Sequence, residues 1–139
     1  MLTWSQGAKA IFAVTDFWMP FLELATAGRK DAWTVAEAEE IRKGKALVDA
    51  ACTTLDTLKH FVFSSLPSPD RISNHKYSDL LHYEGKVKIV DYIAEQTKLS
   101  EITTVLYCGY YMENFTRWEL NSYLRPREVS MPVPMDVQS

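Results

Sequence analysis

Three groups of side chains in this sequence could do chemistry in one place. The apolar run Ala10-Ile11-Phe12-Ala13-Val14 stops at Thr15 with Asp16 next, and Phe61-Val62-Phe63 stops at Ser64 and Ser65, ahead of the breakers Pro67 and Pro69. A third run, Thr103 to Tyr107, is halted by Gly109. Runs that stay apolar rather than alternating read as parallel strands covered on both faces. Ligands of open α/β sheets sit at the carboxyl ends of such strands, where these hydroxyls and Asp16 fall. Lys86 is the cation that could join them. In a helix over about His82 to Thr97, a step of about 100° per residue puts it on the face of Ile89, Val90, Ile93 and Ala94, opposite Glu84, Lys88, Asp91 and Glu95.

A lysine near a helix N-terminus opposes the helix dipole, and one aimed at a core must find a partner or reach water. In a β-α-β unit the helix start lies at the same sheet edge as the strand end. Lys86 is therefore expected beside Thr15, Ser64 and Ser65, where an anionic or carbonyl-bearing ligand could meet it. Helical phase alone leaves a second account open, a lysine whose stem snorkels along the sheet edge.

The elements that would position these groups follow a β-α-β-α-β order. The first helix is expected over about Thr34 to Leu58, with Thr34 as N-cap and Glu37 completing a capping box. Ile41, Gly44, Val48, Ala51, Cys52 and Leu55 recur at helical spacing and would face the sheet. Gly44 costs helix stability by roughly 1 kcal/mol against Ala, so it marks either close packing onto the sheet or a break between two shorter helices. The segment Ser68 to Ser78 reads as a loop over the crevice mouth, and the Pro-bearing tail from Arg125 as extended or loosely docked.

Composition bounds the class. With 139 residues, 47% hydrophobic, the chain can bury a core. Fifteen basic and eighteen acidic residues form no basic stripe, which argues against nucleic acid. Ala8 to Leu24 is interrupted by Lys9, Asp16, Pro20 and Glu23, so neither a membrane span nor a signal h-region is expected. Cys52 and Cys108 read as reduced thiols in a cytoplasmic protein, and His60, His75 and His82 lack metal-ligand spacing.

Taken together, AIFAVTDFW (Ala10 to Trp18), GKALVDAA (Gly44 to Ala51), KHFVFSSLPS (Lys59 to Ser68), Lys76-Tyr77, HYEGKVKIVDYI (His82 to Ile93) and GYYMENF (Gly109 to Phe115) resemble the NmrA-like family of atypical short-chain dehydrogenase/reductase proteins. The resemblance implies an α/β fold: a partial Rossmann-type parallel sheet of three strands with two crossover helices and a short carboxyl-terminal extension. It divides the chain into a central part of an NAD(P)-binding domain, 1–116, and a remnant of a substrate lobe or extended tail, 117–139. It implies NADP(H) as cofactor, lined by Thr15, Asp16 and Phe17 after one strand and by Ser64, Ser65 and Leu66 after the next. Lys86 would stand at the nicotinamide ribose as the catalytic or cofactor-binding cation, with Tyr107, Tyr110, Tyr111 and Asn114 closing over the nicotinamide.

Two departures shape the functional expectation. The family's glycine-rich turn, whose amides hold a pyrophosphate at a helix N-terminus, has no counterpart here. The chain therefore reads as the middle of such a protein, and weak or no dinucleotide binding is expected of it alone. Related reductases carry a Tyr four residues before the Lys so that the cation lowers the phenol's pKa. Position 82 is His, and Tyr83 is one residue out of phase. The expectation is a redox-responsive regulatory protein or non-catalytic fragment, cytoplasmic or nuclear; the alternative is an NADPH-dependent oxidoreductase of the isoflavone-reductase-like kind. A protein partner or self-association through the exposed edge of the first strand is expected, and neither nucleic acid nor membrane.

Overall fold

The computed structural model describes residues 7–109. All of these but Gly109 belong to one compact unit, Met1–Cys108. Three parallel strands, β1 (Ala10–Val14), β2 (His60–Ser65) and β3 (Thr103–Tyr107), lie in the order β1-β2-β3. Ile11 pairs with Phe61, and Phe61 with Thr103, so the three carboxyl ends lie side by side. Between β1 and β2 come α1 (Trp18–Thr26) and α2 (Ala32–Cys52); between β2 and β3 come α3 (Pro69–Ile72), α4 (Leu81–Glu95) and α5 (Thr97–Ser100). The fold is the expected partial Rossmann-type sheet with its two crossover helices, α2 and α4.

The core lies on one face of that sheet. Ile11 and Ala13 of β1 and Phe61 and Phe63 of β2 meet Val48 and Ala51 of α2, Ile89 and Ile93 of α4, and Leu99 of α5, all buried. Burying such a Phe or Ile side chain contributes about 1.5–3 kcal/mol. The other face departs from the expectation of strands covered on both sides. In β1 burial alternates strictly, with Phe12 63% and Val14 51% exposed, and Leu106 of β3 is 42% exposed. An unbroken apolar run thus conceals a period of two, because the residues on the open face are apolar as well.

Several boundaries also move. The first crossover helix begins at Ala32, with Asp31 rather than Thr34 at its N-cap and no side-chain cap bond. Glu37 completes no capping box; its carboxylate instead accepts from Lys88 Nζ across the helix pair (2.7 Å). The helix stops at Cys52 rather than Leu58, where the Thr53 and Thr54 hydroxyls donate to the carbonyls of Ala50 and Ala51. Gly44 does not break the helix, and its close neighbour is α4 rather than the sheet. A Cβ there would lie 2.6 Å from Ile89 Cγ1 and closer still to Cδ1. The second crossover helix ends at Glu95, two residues before the expected end, and Ala94 is exposed rather than inward. The segment after β2 is not wholly loop. Ser68 caps α3 by accepting from the Arg71 N–H (3.1 Å), and its hydroxyl donates to Glu84 of α4 (2.9 Å).

Candidate functional site

The carboxyl end of β1 is where α1, α2 and α4 converge on Thr15. Lys86, on the first turns of α4, reaches across with Nζ 2.7 Å from the Thr15 carbonyl, 3.0 Å from Thr15 Oγ1 and 2.9 Å from Glu40 Oε1. The Thr15 hydroxyl donates to the same Glu40 oxygen (2.8 Å). An ammonium has three donors, and three acceptors surround this one. The Lys86 side chain is 11% exposed and that of Glu40 fully buried. The charge neither snorkels into water nor faces an open crevice; it is satisfied inside the protein. Among the described residues Glu40 Oε2 has no hydrogen-bond partner, and a Cβ at residue 85 would come to 3.0 Å from it, so Gly85 is the residue that lets the carboxylate fit.

Glu40 is the residue that the sequence reading missed, and Glu37, expected in a capping box, faces α4 instead. A signal was present. The buried stripe Gly44, Val48, Ala51 continues backward at helical spacing through Glu40 and Glu37, placing two acids on the face that meets α4. Lys86 and Lys88 of α4 answer them one to one.

Asp16 is exposed, and its Oδ1 accepts from the N–H groups of Trp18 and Met19 (2.9 and 3.3 Å) at the start of α1. Phe17 is buried at the centre of an aromatic cluster, with ring centroids 5.4 Å from Trp18, 5.5 Å from Trp33 and 5.8 Å from His82. Nδ1 of His82 is buried there without a hydrogen-bond partner among the described residues. Burial holds its pKa below the usual histidine value, with the Lys86 charge acting in the same direction and Glu40 against it. The imidazole is therefore neutral at neutral pH. Tyr83 packs against the His82 ring (4.7 Å between centroids).

The remaining expected site residues are spread along the strand ends. Ser64 and Ser65 are buried, and the Ser65 hydroxyl is 3.4 Å from the Leu66 carbonyl. Leu66 and Tyr107 share the lining of a cavity of about 270 Å³ with Ser68, Arg71, Val87 and Val90. Thr15 and Asp16 border a second, of about 530 Å³, between α1 and α2, with Met19, Glu23, Arg42 and Leu47. Lys86, Ser64 and Ser65 line neither. Tyr110, Tyr111 and Asn114 lie outside the described residues. No cluster of three or more metal-ligating side chains, and no helix long and apolar enough to cross a membrane, is found among the described residues.

These features meet an independent likeness. The model of the NmrA-like family matches residues 6–137, so the chain belongs to that family, an atypical short-chain dehydrogenase/reductase group of NAD(P)-binding proteins. Neither a curated protein nor a solved structure gives a match. The described residues include no glycine-rich turn to hold the phosphates of a dinucleotide. At the turn from β1 into α1 the Asp16 carboxylate accepts from the first helix N–H groups, and the neighbouring Lys86 cation is already neutralised by Glu40. No chemical step is derived through the cofactor.

Proposed function

We propose that this chain is a regulatory, non-catalytic member of the NmrA-like family. The observation that carries the reading is the complete internal satisfaction of Lys86 by Thr15 and Glu40. A lysine that assists reduction must lower the pKa of a nearby acid or polarise a substrate oxygen. This one spends its three donors on the protein, and His82 occupies the place four residues earlier where a phenol would be needed. Lys86 acts here as a joint between β1, α2 and α4. Contact with a protein partner, in the cytoplasm or the nucleus, accords with a Rossmann-type scaffold that lacks a proton-transfer couple.

The second reading, an NADPH-dependent oxidoreductase, draws on the gathering of Thr15, Ser64, Ser65 and Lys86 at adjacent strand ends. Incubating the full chain with NADPH and a panel of aldehydes, ketones and quinones separates the two. Cofactor oxidation equal to the protein-free control supports the regulatory reading. Cofactor oxidation by the wild-type chain above the protein-free control overturns it.

A further inference from the structure

We propose that His82 is an acid-sensitive latch: its neutral ring holds α1 against α2 and α4, and protonation releases α1 from the carboxyl end of β1. The ring stands on the first turn of α4, inside a cluster drawn from three elements. Its centroid lies 5.0 Å from Trp18 of α1, 5.8 Å from Phe17 at the head of that helix, 6.2 Å from Trp33 of α2 and 4.7 Å from Tyr83 of α4. Phe21 of α1 closes the cluster on Trp33 (4.2 Å). Histidine is the side chain that changes charge between pH 5 and 8. This one is partly exposed, so a proton can reach it.

Three features set a charged ring against this packing. Neutral, the imidazole can keep its proton on Nε2; charged, both nitrogens carry hydrogen. Nδ1 is buried without a hydrogen-bond partner among the described residues, so its N–H would lack an acceptor. The charge would also stand on the first turn of a 15-residue helix, where the dipole opposes a cation. Of the charged groups facing the ring, Lys86 of α4 repels it, and Glu40 of α2 attracts it but is already engaged by Lys86 and the Thr15 hydroxyl. Phe17, Trp18 and Trp33 bring no charge, and Tyr83 brings a phenol. With its pKa lowered by burial, the docked ring binds fewer protons than a released one. Docking therefore weakens as pH falls through about 6.5 toward the folded value, by up to about tenfold per pH unit. The core between the sheet, α2 and α4 contains none of these rings, so the opening is confined to α1. Phe17 stands two residues after Thr15, so release reaches the oxygens that hold Lys86.

Hydrogen exchange of the full chain between pH 7.5 and 5, read by mass spectrometry and corrected for the intrinsic pH dependence, tests the latch. Protection of the α1 amides should fall at least about threefold while that of β2 holds. The midpoint should match the titration of the His82 ring, followed by NMR in the same wild-type protein. His82→Phe keeps a ring in the cluster and cannot charge, so its α1 protection should stay constant over this range. A wild-type change in α1 of less than about threefold overturns the proposal, as does β2 protection lost in step with α1. So does an α1 midpoint that departs from the His82 titration, or the same α1 loss in folded His82→Phe.

Discussion

Replacing Lys86 with Met keeps the stem and removes the ammonium, and helical phase alone would predict little harm from it. The structure reverses that expectation through Glu40. Its side chain is fully buried, one oxygen already lacks a partner, and the other receives hydrogen bonds from Lys86 and the Thr15 hydroxyl. Lys86→Met leaves this carboxylate with one neutral donor. Breaking a buried pair by removing one partner costs about 3–5 kcal/mol, against a total stability of about 5–15 kcal/mol for a domain. At about 4–8 °C per kcal/mol for a domain near this size, Tm should fall by roughly 12–40 °C. Replacing both members, Lys86→Met with Glu40→Leu, removes the uncompensated charge and should recover most of the loss, because apolar substitutes for a buried pair are often neutral. Thermal and urea unfolding of wild type, the two single variants and the double variant give the coupling directly. A Lys86→Met protein within about 1 kcal/mol of wild type, or additive single losses in the double variant, would refute the network as drawn.

Gly44→Ala should destabilise despite Ala's better helix propensity, because its Cβ would meet Ile89 Cγ1 at 2.6 Å. Overpacking costs about 1–3 kcal/mol, and Ile89→Val should relieve part of it in urea melts. Ser68→Ala removes the acceptor of the Arg71 N–H and should cost about 1 kcal/mol, read by the same melts. His82, whose folded pKa is lowered by burial, binds fewer protons folded than unfolded. Stability should therefore fall as pH drops through about 6.5, the unfolded value, and a His82→Phe variant should flatten that limb of a Tm–pH profile. Glu39, held at about 2 by Arg42 with help from Lys43, keeps its ionised form well below the usual carboxylate range. Its carboxyl carbon shift should titrate with a midpoint near 2, whereas an unpaired carboxylate titrates near 4.5.

What the sequence made legible depended on local signals. β2 and β3 are bounded by Pro67 and Gly109, and the inward phase of Lys86 follows from helical geometry. The pairing of Lys86 with Glu40 does not, because it spans 46 residues and depends on how α2 and α4 pack. Glu40 sits on a stripe that reads as apolar only from Gly44 onward. Gly44 announced close packing, but the identity of the neighbour, Ile89 rather than the sheet, is a tertiary fact. α1 escaped notice because Pro20 stands in its first turn, where a helix tolerates proline but a periodic pattern is interrupted. The openness of one sheet face was hidden by the apolar character of Phe12, Val14 and Leu106 themselves.

Calorimetric titration of NADPH into the full chain bears most directly on the central claim, that the Lys86 strand end is internally satisfied and offers no phosphate cradle. The account predicts no saturable binding at micromolar concentration, and the same trace for wild type and for Glu40→Gln. A single site of micromolar affinity that is lost when Lys86 is changed to Met, in a variant shown to remain folded at the temperature used, would contradict it.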